Sequence, residues 1–167
     1  MRPIAVVAVA SLACLASPLK AQLPPSWTPE ARTAAFVELG GSAGLYSLNL
    51  DWRLSRRFTF RGALAQYTAL NVQPEKQYMR LAFMLNALAG GPTNWLEVGI
   101  GPMGGRYTQT IQDVWFASIT SAIGFRHQTR KEGFVYRAGI APQFQFGNSR
   151  DRGGASVYPG VSFGVSF

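Results

Sequence analysis

From residue 157 to residue 167 the chain alternates without a break. Val157, Pro159, Val161, Phe163, Val165 and Phe167 are bulky and apolar, while of the residues between them Gly160, Ser162, Gly164 and Ser166 are small and Tyr158 alone is large. A period of two sends successive side chains to opposite faces of an extended strand, so this segment is a strand with two unlike faces. The pattern recurs along the chain. Phe58, Phe60, Gly62 and Leu64 oppose Thr59, Arg61, Ala63 and Ala65, and Met79, Leu81, Phe83 and Leu85 oppose Arg80, Ala82, Met84 and Asn86. Leu96, Val98 and Ile100 oppose Trp95, Glu97 and Gly99. Trp115, Ile119, Ile123 and Phe125 oppose Ser118, Thr120, Gly124 and Arg126. Phe134, Tyr136, Ala138 and Ile140 oppose Val135, Arg137 and Gly139, and Tyr46, Leu48, Leu50, Trp52 and Leu54 form one parity near the N-terminus. No stretch of useful length carries an apolar stripe at helical spacing.

Turn-like connectors separate these segments: Gly40 to Gly44, Ser55 to Arg57, Asn71 to Glu75, Gly90 to Asn94, Thr108 to Asp113, Thr129 to Gly133, and Gly147 to Ala155. Seven connectors predict eight strands. Residues 34 to 54 also admit one long strand bent by a glycine bulge at Gly40-Gly41, but their length, about twice a membrane crossing, favours two strands.

The less bulky parity decides what surrounds the sheet. In a soluble sandwich or a lipocalin-like carrier that face meets water and is rich in Lys, Glu and Asp. Here it is mostly Gly, Ala, Ser and Thr, which suits the interior of a narrow barrel filled by its own side chains. The bulky parity then faces lipid. The expected fold is an all-β, eight-stranded antiparallel up-and-down transmembrane β-barrel over residues 34–167, with strands of about 9–11 residues crossing the membrane. Aromatic residues near segment ends, Trp52, Phe58, Trp95, Trp115, Phe125, Phe134 and Phe167, fit interfacial girdles.

The charges of both signs on the inner parity are Glu38, Asp51, Arg53, Arg61, Arg80, Glu97, Arg126 and Arg137. From these the alternation predicts a lumen charge network built on Glu38, Asp51, Arg61, Arg80, Glu97 and Arg137, in which opposite charges offset one another's desolvation.

Residues 1–21 read as a secretory signal: Arg2 supplies the charged start, Ile4 to Leu15 the apolar core, and Leu19-Lys20-Ala21 the small-residue end, with cleavage expected after Ala21 and Ala16 as the second choice. Residues 22–33 form a polar lead ahead of the barrel. Cys14 falls inside the signal, without the large aliphatic residue three positions earlier that lipoprotein processing expects. The processed chain would then offer no disulfide and no thiol metal site. Removing Arg2 and Lys20 from the 16 basic residues leaves 14 against 8 acidic ones, a net charge of +6. A basic exported chain meets lipid phosphates before nucleic acid, and Arg150 and Arg152 in the longest loop are placed to touch lipopolysaccharide phosphates.

The closing run Val161-Ser162-Phe163-Gly164-Val165-Ser166-Phe167 resembles the C-terminal signal of Gram-negative outer-membrane proteins. That resemblance implies recognition of Val161, Phe163, Val165 and Phe167 by the barrel assembly machinery. As architecture, the chain from residue 22 onward is similar to the small barrels of the OmpA transmembrane-domain and OmpX type. It is also similar to an uncharacterised group of short outer-membrane barrels, through Glu38-Leu39-Gly40-Gly41, Tyr46-Ser47-Leu48-Asn49, Gly124-Phe125-Arg126, Phe134 to Pro142 and the final Gly-Val-Ser-Phe. These resemblances imply an integral protein of the Gram-negative outer membrane, in contact with lipopolysaccharide and other outer-membrane lipid, and no established activity.

Catalytic chemistry has few candidates. His127 is the single histidine. It shares parity with Ile123 and Phe125 at a strand end, which suits an interfacial belt better than a pocket. Lipid A deacylase barrels carry a histidine, a serine two residues later and a neighbouring glutamate, and His127, Thr129 and Glu132 are similar except that threonine replaces the serine. The expectation is a protein that is not an enzyme, with no cofactor, no metal and no nucleic-acid partner. A lipid-modifying enzyme of the deacylase type and a soluble periplasmic lipocalin-like carrier are the alternatives.

Overall fold

The structure, a computed structural model, describes residues 31–69, 76–109, 112–129, 131–146 and 153–167. The expected signal, most of the polar lead, the 71–75 connector and the loop arginines Arg150 and Arg152 lie outside the described residues.

Eight strands follow in chain order: β1 (Thr33–Gly40), β2 (Tyr46–Arg53), β3 (Phe58–Ala69), β4 (Lys76–Gly90), β5 (Asn94–Gln109), β6 (Gln112–Gln128), β7 (Gly133–Gln145) and β8 (Gly154–Ser166). Each pairs antiparallel with its chain neighbours, and β1 pairs with β8 to close the barrel, with Ala34 opposite Ser166 and Gly40 opposite Gly160. Closure pairs β1 along its length with β8, as a sheet in hydrocarbon requires. Thr33 N–H donates to Phe167 O at 3.1 Å, so the two ends of the described chain meet at one rim, here called the basal rim. The connector after β1 and those after β3, β5 and β7 belong to the opposite, far mouth.

The two parities separate as the alternation predicts. Ile100 is 61% exposed and Phe163 58%, while Ala82 and Thr120 are 0% and Ser162 1% exposed. Leu81, Phe83, Leu85, Val98, Ile119 and Ile123 join the exposed set. An apolar exterior this continuous suits hydrocarbon, not water. A lipocalin-like carrier needs the reverse, an apolar cavity inside, whereas the inner face here buries Glu38, Asp51, Arg61, Glu97, Arg126 and Arg137 beside small and apolar side chains. Trp52, Phe58, Trp115, Phe125, Phe134 and Phe167 are exposed on the outer face as girdle aromatics require. Trp95 is a correction: it shares the inner parity of Glu97, and Arg53 lies over its ring at 5.7 Å.

The 34–54 segment is two strands, and its turn does more than reverse the chain. Gly40, Gly41 and Gly44 have φ of +71°, +84° and +117°, a region that other residues rarely adopt. The turn bends into the lumen, where Ser42 and Ala43 are fully buried. Buried carbonyls require donors. Gln143 Nε2 donates to Gly41 O at 3.1 Å and Ser42 O at 3.0 Å, and Thr120 Oγ1 donates to Ser42 O at 3.0 Å.

Strand lengths are uneven: β1 and β2 have 8 residues each, whereas β4, β5 and β6 have 15, 16 and 17. The long strands carry the far mouth beyond the apolar belt. There Thr108 Oγ1 donates to Asp113 Oδ1 at 2.5 Å and Arg106 Nη1 to Asp113 Oδ2 at 2.9 Å. The Thr108 hydrogen bond, aided by Arg106, holds the Asp113 carboxyl below its ordinary 3.8. A depressed carboxylate contributes stability that is fully present above its unfolded value and lost as pH falls through the folded one. The amides of Tyr107 and Val114 are therefore expected to lose hydrogen-exchange protection below about pH 4, with the central barrel unchanged. D113N should abolish that pH dependence. An unchanged profile in both proteins would show that the contact contributes nothing to the hairpin.

Candidate functional site

The inner parity brings six charged side chains together in the basal half of the lumen. Asp51 and Arg61 are direct cross-strand partners on β2 and β3, joined by Arg61 Nε to Asp51 Oδ1 at 2.8 Å. Arg126 and Arg137 are likewise opposite one another on β6 and β7, a like-charge pairing that is unfavourable alone. Glu97, projecting from β5, neutralises it: its carboxylate accepts from Arg137 Nη2 at 2.6 Å, Arg137 Nε at 3.1 Å, Arg61 Nη2 at 2.5 Å and Arg126 Nη1 at 3.3 Å. Arg126 Nη1 also bonds Asp51 Oδ2. Arg137 Nη1 reaches Glu38 Oε1 at 3.4 Å, and Ser42 Oγ donates to Glu38 Oε2 at 2.9 Å.

Three carboxylates thus face three guanidiniums, all buried, and the cluster is neutral as a whole. Phe36 supplies apolar support, with Arg61 and Arg137 over its ring at 5.2 Å and 5.1 Å. Gln128 Oε1 takes two further bonds from Arg126, at 3.0 Å and 2.6 Å. A carboxylate held by several guanidiniums has few lone pairs left for a cation. The arrangement locks strands together and fills space. Beside Glu38, Gly41, Arg137, Gly139, Gly160 and Ser162 there is a cavity of about 20 Å³, room for a single water.

Five of the expected network members, Glu38, Asp51, Arg61, Glu97 and Arg137, meet in this cluster, and Arg80 does not. Arg80 lies in the far half of the lumen over Tyr67, Tyr78 and Phe116 at 5.5 Å, 5.3 Å and 5.5 Å, and Arg126 takes the place expected for it. Inner parity identified both arginines, but height in a tilted barrel is set by register across several strands, which no local pattern reports. The inward fold of the first turn was also not foreseen. Its signal in the sequence is a run of only small residues, Gly40 to Gly44.

His127 is on the outer face at the basal rim. Its Nδ1 is 2.7 Å from Asn94 Oδ1 and its ring stacks on Tyr136 at 4.6 Å. The Thr129 hydroxyl donates to Lys131 O at 2.9 Å. Val161, Phe163, Val165 and Phe167 all face outward on and just after β8.

The closed sheet, apolar exterior and buried charge cluster together define the class of small eight-stranded transmembrane β-barrels. Within that class the chain is similar to the N-terminal β-barrel domain of Pseudomonas aeruginosa OprF, with a TM-score of 0.61 and 14% identity over 83% of this chain and 99% of that one. A looser match, at a TM-score of 0.46 and 10% identity, is Ail, the attachment invasion locus protein of Yersinia pestis, covering 80% of this chain and 93% of that one. No protein-family model matches the sequence. No curated protein matches it either.

Proposed function

We propose that this chain is an integral protein of a Gram-negative outer membrane whose barrel is sealed by its own side chains, with a structural or surface-interaction role and no catalysis. The observation that carries this reading is the buried cluster of Glu38, Asp51, Glu97, Arg61, Arg126 and Arg137, topped by the inward turn at Ser42 and Ala43. On this reading the two together close the lumen to solutes. With the basal rim in the periplasm, the far mouth presents its connectors to the outer leaflet and to lipopolysaccharide. Insertion falls to the barrel assembly machinery, which would read the outward residues of β8. The deacylase-type alternative has little support, because the His127 ring nitrogen and the Thr129 hydroxyl are directed to different partners.

Two measurements test the reading. Fractionated envelopes should hold the protein in the outer membrane, with a mobility shift between boiled and unboiled samples. Purified protein in phospholipid vesicles should leave a trapped small ion in place. A soluble protein with no shift would overturn the membrane assignment, and rapid ion efflux would overturn the sealed lumen.

A further inference from the structure

The short first hairpin leaves the wall incomplete above it. Pairing of β3 with β2 stops at Leu64, opposite Leu48, while β3 continues to Ala69 against β4 alone. Pairing of β8 with β1 stops at Gly160, while β8 continues up to Gly154 against β7 alone. Among the described residues a lateral opening therefore separates the upper parts of β3 and β8. On the β8 side Val157 is outward and 61% exposed, so the opening reaches into the apolar belt. Pro159 at its lower corner has no N–H, which removes one unpaired donor from the edge.

The residues around this opening are of one kind. Five of the six tyrosines of the chain are Tyr46, Tyr67, Tyr78, Tyr107 and Tyr158, and all lie in its neighbourhood. Tyr46, Tyr67, Tyr78 and Tyr107, on successive strands, form a ladder with ring centroids 6.1 Å, 5.2 Å and 5.6 Å apart. Tyr158, on β8, is half-buried on the inner parity of Gly160 and Ser162.

Arg80 lies against this ladder. Each arginine of the lumen cluster is matched by a carboxylate. Arg80 has none among the described residues, and its buried Nε finds no acceptor there. The guanidinium instead lies over the Tyr67, Tyr78 and Phe116 rings, contacts that leave N–H groups at its edge available to an anion. Gly44 forms the floor, where even a Cβ would come within 2.8 Å of the Tyr67 hydroxyl and 3.1 Å of Arg80 Nη1.

We propose that this opening is a docking site for a phosphate-bearing amphiphile of the surrounding leaflet. Its phosphate accepts hydrogen bonds from Arg80 and the Tyr67, Tyr78 and Tyr158 hydroxyls, and its alkyl chain leaves sideways past Val157 and Leu45. A guanidinium with phenolic donors is matched to a phosphate, which accepts several charge-assisted bonds at once. The lateral exit selects an amphiphile over a free ion. The inference rests on the membrane-spanning reading above.

The test uses the full chain without its leader, refolded in a non-ionic detergent and checked for the heat-dependent gel shift. It is titrated with dihexanoyl phosphatidic acid, with inorganic phosphate and with neutral dihexanoyl glycerol, while the Arg80 Nε–H and tyrosine ring resonances are followed by NMR. Saturable shifts with phosphatidic acid alone are expected, weakened about tenfold or more in R80Q, the loss of a charge-assisted hydrogen bond. Y158F, which keeps the ring, should weaken binding less. An equal response to inorganic phosphate would overturn the lipid assignment, and an equal response to the neutral glyceride would overturn the role of the phosphate. Absence of saturation in a protein that still shows the gel shift would sink this site while leaving the barrel reading intact. Should R80Q fail to fold, the Y158F comparison and the three-ligand comparison on the unaltered protein still decide the matter.

Discussion

Glu97→Gln is expected to destabilise the barrel by about 3–5 kcal/mol, the range for breaking a buried ion pair from one side. Glu97 is the shared acceptor of Arg61, Arg126 and Arg137. Neutralising it leaves three buried guanidiniums facing two carboxylates. The amide is similar in shape, so the loss comes from an uncompensated charge and not from a cavity. Urea unfolding in detergent micelles, read by the gel shift, measures it. The double variant E97Q/R137M removes one charge of each sign and is expected to recover a substantial part of the loss. Should E97Q unfold at the same urea concentration as the parent chain, the cluster would not be holding the strands together.

Ile100→Arg tests the outer face. Ile100 stands opposite Leu85 midway along the apolar stripe of β5. A cation at the midplane of a lipid-facing strand costs about 2–4 kcal/mol. The control is Gln77→Arg, on the same outer parity of β4 but toward the far mouth, where the change should stay within about 0.5 kcal/mol. Equal stability of the two variants in phospholipid vesicles would mean that Ile100 does not face hydrocarbon.

How much of this molecule was legible beforehand depended on whether a property was local. Strand number and facing follow from the period of two, so the alternation of Phe134 to Ile140 or Val157 to Phe167 was enough to orient those segments. Gly40 to Gly44 was legible as a turn because a reversal needs residues tolerant of positive φ. That it enters the lumen depends on Thr120 and Gln143, which lie far along the chain. The same limit separates Arg80 from Arg126. Both carry the inner parity, but one meets carboxylates and the other meets Tyr67, Tyr78 and Phe116, and only the register of several strands sets their heights. Trp95 was misread for a related reason, since nearness to a segment end suggested a girdle while its parity pointed inward.

The direct opposition of Arg126 and Arg137 bears on the order in which the sheet can be completed. A partial sheet of β6 and β7 alone sets two cations side by side. Adding β5 supplies Glu97, and only when β1 docks on β8 does Glu38 reach Arg137. Glu38 therefore completes the charge balance of the cluster only when the ring closes. A sheet closed out of register would set these side chains at other heights, so the matching of buried charges favours the native register.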